Sequence, residues 1–150
     1  MESKATLLQE RTKQFALRII KLYRALPKTG EAQVIGRQML RSGTSVAANY
    51  RAACRSRSDN EFYSKISIVV EEADETQFWM ELLVEAGIIS SERLSNLMNE
   101  GEEILKIMSS SRRTCKQKLN SQNTNQKSPN QKIENQQIIK STNKYYGKHS

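Results

Sequence analysis

Four carboxylates on successive helical turns form the one cluster in this sequence whose spacing suits metal chemistry. They lie in the run Glu71-Glu72-Ala73-Asp74-Glu75. Carboxylate oxygens spaced in this way are suitable ligands for Mg²⁺. Helical Mg²⁺-dependent hydrolases that use such a run complete the site with a second acidic motif containing aspartate, and no aspartate follows Asp74. The sequence therefore predicts no metal site.

The sequence also lacks the histidines that catalysis or metal binding by this residue type would need. The chain contains one histidine, His149, which lies in a segment that we expect to be unstructured. Histidine-dependent triads and the Glu-x-x-His pairs of di-iron bundles need histidine on a structured element, and no glycine-rich phosphate loop is present. The sequence therefore predicts a protein that is not an enzyme and that uses no cofactor.

Arginines recur along one side of a single predicted helix. At about 100° per residue, four of them fall within an arc of about 80°, opposite the apolar positions: Arg37, Arg41, Arg51 and Arg55. Residues 59–89, which follow directly, carry eight acids and one base. The row has two interpretations, which are phosphate contacts and ion pairs with Glu72 or Glu75, within one chain or between subunits.

The N-terminal segment adds positive charge to the same prediction. Residues 1–27 contain six bases and two acids. Lys13, Lys21 and Arg24 lie away from the apolar stripe of this segment. If the first two helices are neighbours, these bases and the arginine row make one positive face, and we predict that this face binds RNA or DNA through phosphate contacts.

The pattern of apolar residues and helix stop signals predicts four helices. Pro27 ends the first helix, Ser58 and Glu61 form a capping box at the start of the third, and Gly87 ends the third. Helices of about 22 to 28 residues joined by short loops favour an up-down-up-down antiparallel arrangement. The predicted fold is all-α, an antiparallel four-helix bundle over residues 1–114.

The inward face of each helix follows three- and four-residue spacing. The first stripe is Leu8, Thr12, Phe15, Ile19, Leu22 and Leu26, and the fourth is Leu94, Leu97, Gly101, Ile104 and Met108. A second row on the third helix is half apolar and lies at a different angle from its core stripe: Ile68, Glu72, Glu75, Trp79 and Leu82. This row is either the margin of a wide core or a subunit interface anchored by Trp79.

The C-terminal segment differs in composition from the rest. The chain has a net charge of +8, and residues 115–150 contribute seven lysines and one acid, within a run rich in Asn, Gln and Ser. Such a segment buries too little apolar surface to offset chain entropy, so we predict a disordered tail. Two distant cysteines and the lack of a signal peptide or membrane span favour a cytoplasmic protein.

Several separated motifs resemble one known family. They are Leu26-Pro27, the run Gln38-Met39-Leu40-Arg41-Ser42-Gly43-Thr44-Ser45-Val46-Ala47-Ala48-Asn49, and the segment from Glu61 through Thr76. Over residues 10–112 the chain resembles the four-helix bundle proteins related to the intervening-sequence proteins of bacterial 23S ribosomal RNA. Many relatives have Asn-Ile-Ala-Glu-Gly where this chain has Asn49-Tyr50-Arg51-Ala52-Ala53, which places it in a basic branch.

The resemblance implies an assembly and a set of partners. Family members form rings, commonly homopentamers, and include the basic accessory protein of diversity-generating retroelements, which binds nucleic acid and a reverse transcriptase. The expectation is therefore a pentameric nucleic-acid-binding bundle that serves ribosomal RNA intervening sequences or a reverse transcriptase. The alternative is a protein-interaction scaffold without nucleic-acid contact.

Overall fold

The computed structural model describes residues 1–126, Gln137 and Lys140. The helices are α1 (Lys4–Ala25), α2 (Gly30–Cys54), α3 (Asp59–Glu85) and α4 (Ser91–Gln126). No strand occurs in these described residues. Residues 1–116 form one compact unit, and the bundle described below is this unit.

Side-chain contacts show that neighbouring helices run in opposite directions. Near the start of α3, Ser67 accepts a hydrogen bond from Arg112 at 3.0 Å. Further along α3, Gln77 donates to the carbonyl oxygen of Met98 at 2.8 Å. Residues further along α3 therefore contact residues nearer the start of α4. With the short connections between helices, this confirms the predicted antiparallel four-helix bundle.

The helix starts and stops follow the predicted signals. The Ser58 hydroxyl accepts a hydrogen bond from the Glu61 amide at 3.1 Å. The Glu61 carboxylate accepts from the amide of Arg57 at 3.1 Å, one residue before the position that the standard capping box uses. At the other end of α3, Gly87 has φ 71°, a left-handed conformation that favours glycine.

The core contains the predicted stripes. Of the first predicted stripe, Thr12, Phe15, Ile19 and Leu26 are buried, and in α4 all five predicted positions are buried. Buried hydroxyl groups are paired across helices, since Thr76 Oγ1 lies 2.9 Å from Ser42 Oγ. The spacing did not indicate Gln77, which is 8% exposed and bridges α3 to the backbone of α4.

The fourth helix is longer than the sequence predicts. We expected it to end near residue 114, but α4 continues to Gln126. No glycine or proline interrupts this stretch, and Cys115 is buried and donates to the Asp59 carbonyl oxygen at 3.4 Å. The start of the predicted tail is corrected accordingly. The remainder of the predicted tail, with His149, lies outside the described residues apart from Gln137 and Lys140.

None of the helices in the described part of the chain combines the length and the apolar composition that a bilayer crossing needs.

A glycine on α2 sets how closely α1 and α2 approach. A Cβ atom on Gly43 would lie 2.9 Å from both Cγ atoms of Ile19, well inside ordinary van der Waals contact. Ile19 is fully buried, so it has little room to move. The close packing of α1 on α2 therefore depends on the missing side chain at Gly43.

Replacing Gly43 with alanine should destabilise the bundle. Overpacking against Ile19 costs about 2 kcal/mol, and the better helix propensity of alanine returns about 1 kcal/mol. We expect the free energy of unfolding in urea to fall by about 1 kcal/mol, the difference between these two values. Gly30→Ala is the matched control, because a Cβ atom there meets nothing within 4 Å. A Gly43→Ala protein as stable as Gly30→Ala would contradict the close approach.

Candidate nucleic-acid interface

The two ends of the bundle carry opposite charge. Antiparallel packing gathers residues 1–13, 48–67 and 105–116 at one end, which holds eleven bases and four acids. We call this the basic end. Residues 14–47 and 68–104 make the acidic end, with seven bases and eleven acids. The small surplus of positive charge on the bundle as a whole therefore conceals a strong separation of charge along its axis.

A groove between α1 and α2 lies at the basic end and is lined by three of the predicted site residues. It has a volume of about 1110 Å³, and its lining includes Lys13 from α1 and Arg51 and Arg55 from α2. We call it the basic groove. Antiparallel packing places the start of α1 beside the end of α2, which is why bases from both helices meet there. Arg18, which the sequence analysis did not single out, also lines it.

The guanidinium groups of Arg51 and Arg55 are open. Both residues are exposed, and within residues 1–126 neither has a carboxylate oxygen within 4.0 Å. Carboxylates of the same groove are engaged elsewhere, since Glu100 accepts from Arg11 at 2.9 Å and Glu10 from a glutamine one turn away. Glu2 also lines the groove, whose lining contains five bases and three acids, so the basic groove has a net positive charge.

Arg11 shows what a neutralised arginine looks like in the same region. It binds Glu100 and also Glu103 of α4. The hydrogen bond with Glu100 is the main reason that the pKa of Arg11 lies above its ordinary value. Arg11 thus links α1 to α4 and is not available to a ligand in the way that Arg51 is.

Arg41 forms ion pairs with Glu72 and Glu75, as the second interpretation of the arginine row predicts. Its Nη2 donates to Glu75 at 2.7 Å, and its Nη1 lies 3.3 Å from both oxygens of Glu72. Trp79 Nε1 donates to the same Glu75 oxygen at 3.1 Å. The hydrogen bond from Arg41 holds the pKa of Glu75 below its usual range. Two carboxylates of the acidic run Glu71–Glu75 are therefore occupied by an arginine.

The other predicted phosphate contacts lie outside the basic groove. Lys21 lines a smaller groove of about 290 Å³ between α1 and α4. Arg24 is exposed in the last turn of α1. Arg37 is exposed on α2 at the acidic end. Of the seven predicted residues, Lys13, Arg51 and Arg55 are the three that line the basic groove.

The predicted interface row is half-buried throughout. This applies to Ile68, Glu72, Glu75, Trp79 and Leu82. Trp79 packs against the core, and its ring meets that of Phe78 edge-on, with centroids 5.0 Å apart. Phe78 is 49% exposed and was not part of the prediction. The row therefore forms the margin of the core, and the ring of Phe78 next to it is exposed.

Sequence reasoning missed a second basic cluster, on α3 and α4. Arg112 and Lys116 lie over the ring of Tyr63, at 5.5 and 5.2 Å from its centroid. A signal was present in the sequence, because residues 104–133 contain seven bases and no acid. Only the packing of α4 on α3 shows that an aromatic ring lies beneath these cations. Within the described residues, no group of His, Cys, Asp and Glu side chains has metal-binding geometry.

The comparisons with known proteins agree with this fold. A family model described as 23S rRNA-intervening sequence protein matches residues 5–110. The chain belongs to this family. The resemblance that the sequence motifs carry is thus confirmed, and the matched segment covers α1 apart from Lys4, the whole of α2 and α3, and more than half of α4.

A solved structure shares the fold of this 23S rRNA-intervening sequence family member. It is a protein of unknown function from the S23 ribosomal protein family of Bacteroides thetaiotaomicron, 35% identical to this chain, with a TM-score of 0.69. The match covers 74% of this chain and 99% of the other. No curated protein matches the chain. Neither the family description nor that of the Bacteroides protein names a reaction.

Replacing Arg41 with alanine should lower stability only while Glu75 is ionised. The hydrogen bond from Arg41 lowers the pKa of Glu75 below its ordinary value, so the pair stabilises the fold above that ordinary value and loses its contribution as the pH falls through the lowered pKa. Because the Arg41 side chain is 51% exposed, the loss at neutral pH should be less than about 1 kcal/mol.

Urea unfolding at neutral pH and at a pH below the Glu75 pKa measures this difference. Arg37→Ala is the control, because Arg37 is exposed on the same helix and has no carboxylate partner within residues 1–126. A destabilisation by Arg41→Ala that is the same at both pH values would contradict the ion pair.

Proposed function

We propose that this protein is a non-enzymatic nucleic-acid-binding bundle whose basic groove contacts phosphates. One observation carries the proposal: Arg51 and Arg55 are exposed and lack a carboxylate partner in the described chain, and Lys13 lines the same groove. Arg41, which is neutralised by Glu72 and Glu75, is assigned a structural role.

The electrostatics of the groove favour a polyanion. Cations gathered in one groove repel one another, and a phosphate backbone relieves the repulsion while releasing its own counterions. Arginine suits this contact because its planar donors match phosphate oxygens. Contacts made to phosphates alone carry no sequence information, so the groove should tolerate many sequences.

The proposed function includes assembly into a homo-oligomer, a pentamer by the family resemblance. The half-buried row around Trp79, widened by the exposed ring of Phe78, is the proposed subunit interface. Several copies of one weak basic groove on a ring would bind a long strand together, with a gain in avidity.

Membership of the family supports a proposed cellular role. The partner is RNA of a 23S ribosomal intervening sequence, or nucleic acid handled by a reverse transcriptase that the protein assists. Either role places the protein in the cytoplasm.

A protein-interaction scaffold is the second candidate, and the acidic end with Phe78 is the observation that favours it. In that case the acidic end would meet a basic partner without nucleic acid. Capture of partners before and after nuclease treatment separates the two functions, because a partner bridged by RNA is lost after nuclease and a direct partner remains.

Replacing Arg51 and Arg55 together with alanine should weaken RNA binding. Loss of each charge-assisted phosphate contact should lower the affinity for RNA roughly tenfold, and the variant loses the contacts of both arginines. The slope of log affinity against log salt concentration should fall by about 1.4, or about 0.7 for each phosphate contact on a single strand. Fluorescence anisotropy with labelled RNA over a salt series measures both quantities, and thermal melting should show an unchanged fold.

The matched control is the double variant Arg24→Ala/Arg37→Ala. It removes the same charge from exposed positions outside the basic groove. Nearly unchanged affinity for this control supports a local site. Equal weakening by both double variants would indicate a general effect of net charge and would refute the groove.

Replacing Phe78 with serine should reduce the native mass of the assembly without unfolding the subunit. Phe78 is 49% exposed, so it adds little to the core of one subunit and much more to an interface that covers it. Leu17→Ser is the control, because Leu17 is 48% exposed on α1, away from the Trp79 row. Native mass spectrometry of nuclease-treated protein measures the result, and an identical mass for wild type and Phe78→Ser would refute this interface.

A further inference from the structure

Tyr63 carries two cations on its ring at the basic end. The guanidinium carbon of Arg112 lies 5.5 Å from the ring centroid, and the ammonium nitrogen of Lys116 lies 5.2 Å from it. Arg112 and Lys116 are one turn apart on α4, so both project from the same side of that helix. Two like charges are thus held over one half-buried ring.

The position of Arg112 is fixed by hydrogen bonds that leave its charge unpaired. Its Nε donates to Ser67 at 3.0 Å, and its Nη2 lies 3.4 Å from the Tyr63 hydroxyl. These partners are neutral. Within residues 1–126, neither Arg112 nor Lys116 has a carboxylate oxygen within 4.0 Å.

The positive charge around Tyr63 lowers the pKa of its phenol group. The hydrogen bond with Arg112 is the main cause that lowers the pKa of Tyr63, and Lys116 lowers it further. The cluster therefore has the properties of an anion site, since an ordered arginine and a nearby lysine repel each other until a negative group lies between them.

The cluster and the basic groove lie on opposite sides of the basic end. The basic groove lies between α1 and α2, whereas the cluster joins α3 and α4. Between them is a cavity of about 690 Å³ that is lined by residues of all four helices, including Lys4 of α1 and Arg57. The lining of this cavity holds two bases and one acid, Asp59, so bases are present around the end of the bundle between the two sites.

We propose that Tyr63, Arg112 and Lys116 form a second phosphate site for the strand that enters the basic groove, and that this strand is a single-stranded nucleic acid. A duplex is stiff, since double-stranded DNA has a persistence length of about 150 base pairs. It cannot bend around the end of one bundle. A flexible single strand can. This inference rests on the proposed function and adds the class of nucleic acid to it.

The test compares two strand lengths. Oligoribonucleotides of about 4 and about 16 nucleotides represent the lower and upper site sizes of small single-strand-binding folds. The variant is Arg112→Gln/Lys116→Gln, which removes both charges and keeps the side chains long, and its melting temperature is measured first. If melting falls, Lys116→Gln alone is used, because it leaves the hydrogen bonds of Arg112 in place.

The expected result is a loss of affinity that depends on strand length. The variant should bind the long strand roughly tenfold more weakly, while its affinity for the short strand, which the basic groove accommodates, should stay within twofold. A long duplex of the same sequence should also bind equally to wild type and variant. Unchanged affinity for the long single strand, or an equal loss on the duplex, would overturn the inference.

The pKa of Tyr63 provides a second measurement, made alongside the affinities. Binding of a phosphate beside Arg112 should raise the Tyr63 pKa back towards its ordinary value, as followed by ¹³C NMR of labelled tyrosine with Tyr63→Phe to assign the signal. An unshifted Tyr63 in the complex with the long strand would also overturn the inference. Failure of the proposed function is seen separately, as full affinity for both strands after loss of Arg51 and Arg55.

Discussion

The antiparallel pairing of α2 with α3 determines which positive charges of this bundle are neutralised. Six of the eight acids of α3 lie within residues 71–85, and this part of α3 packs beside the first half of α2. Arg41 therefore meets Glu72 and Glu75, while the end of α2 lies beside residues 59–70 of α3, which contain two acids and one base. Residues 105–116 of α4 add four bases and no acid to the same end. Charge left unpaired by the packing of the helices becomes the surface that an external anion can use.

Buried contacts hold this register in place. Thr76 Oγ1 meets Ser42 Oγ between α2 and α3, one position away from the Arg41 ion pair. Gly43 allows α1 to pack closely on the other side of α2, and that approach brings Lys13 into one groove with Arg51. Because the contacts are buried, a shift of α2 by one turn would leave hydroxyl groups unpaired and force Ile19 against a side chain. The core thus fixes the electrostatics of the surface.

Much of the fold is readable from the sequence, and the pairing of charges is not. Apolar spacing, Ser58 and Gly87 predict the helices because these signals act within a few residues along the chain. The exposed arginines also follow from helical periodicity. Whether each one meets a carboxylate depends on how far one helix is shifted along the next, which local spacing does not contain. The cluster at Tyr63 and the extension of α4 escaped prediction for the same reason, since both depend on packing between α3 and α4.

The most direct test is to observe every arginine side chain at once. A ¹⁵N NMR spectrum of the arginine Nε groups, recorded with and without single-stranded RNA, distinguishes free guanidinium groups from paired ones. The account predicts shifts for Arg51 and Arg55 on binding and unchanged signals for Arg11 and Arg41, whose carboxylate partners are already in place. Shifts at Arg41 with none at Arg51 and Arg55 would contradict it.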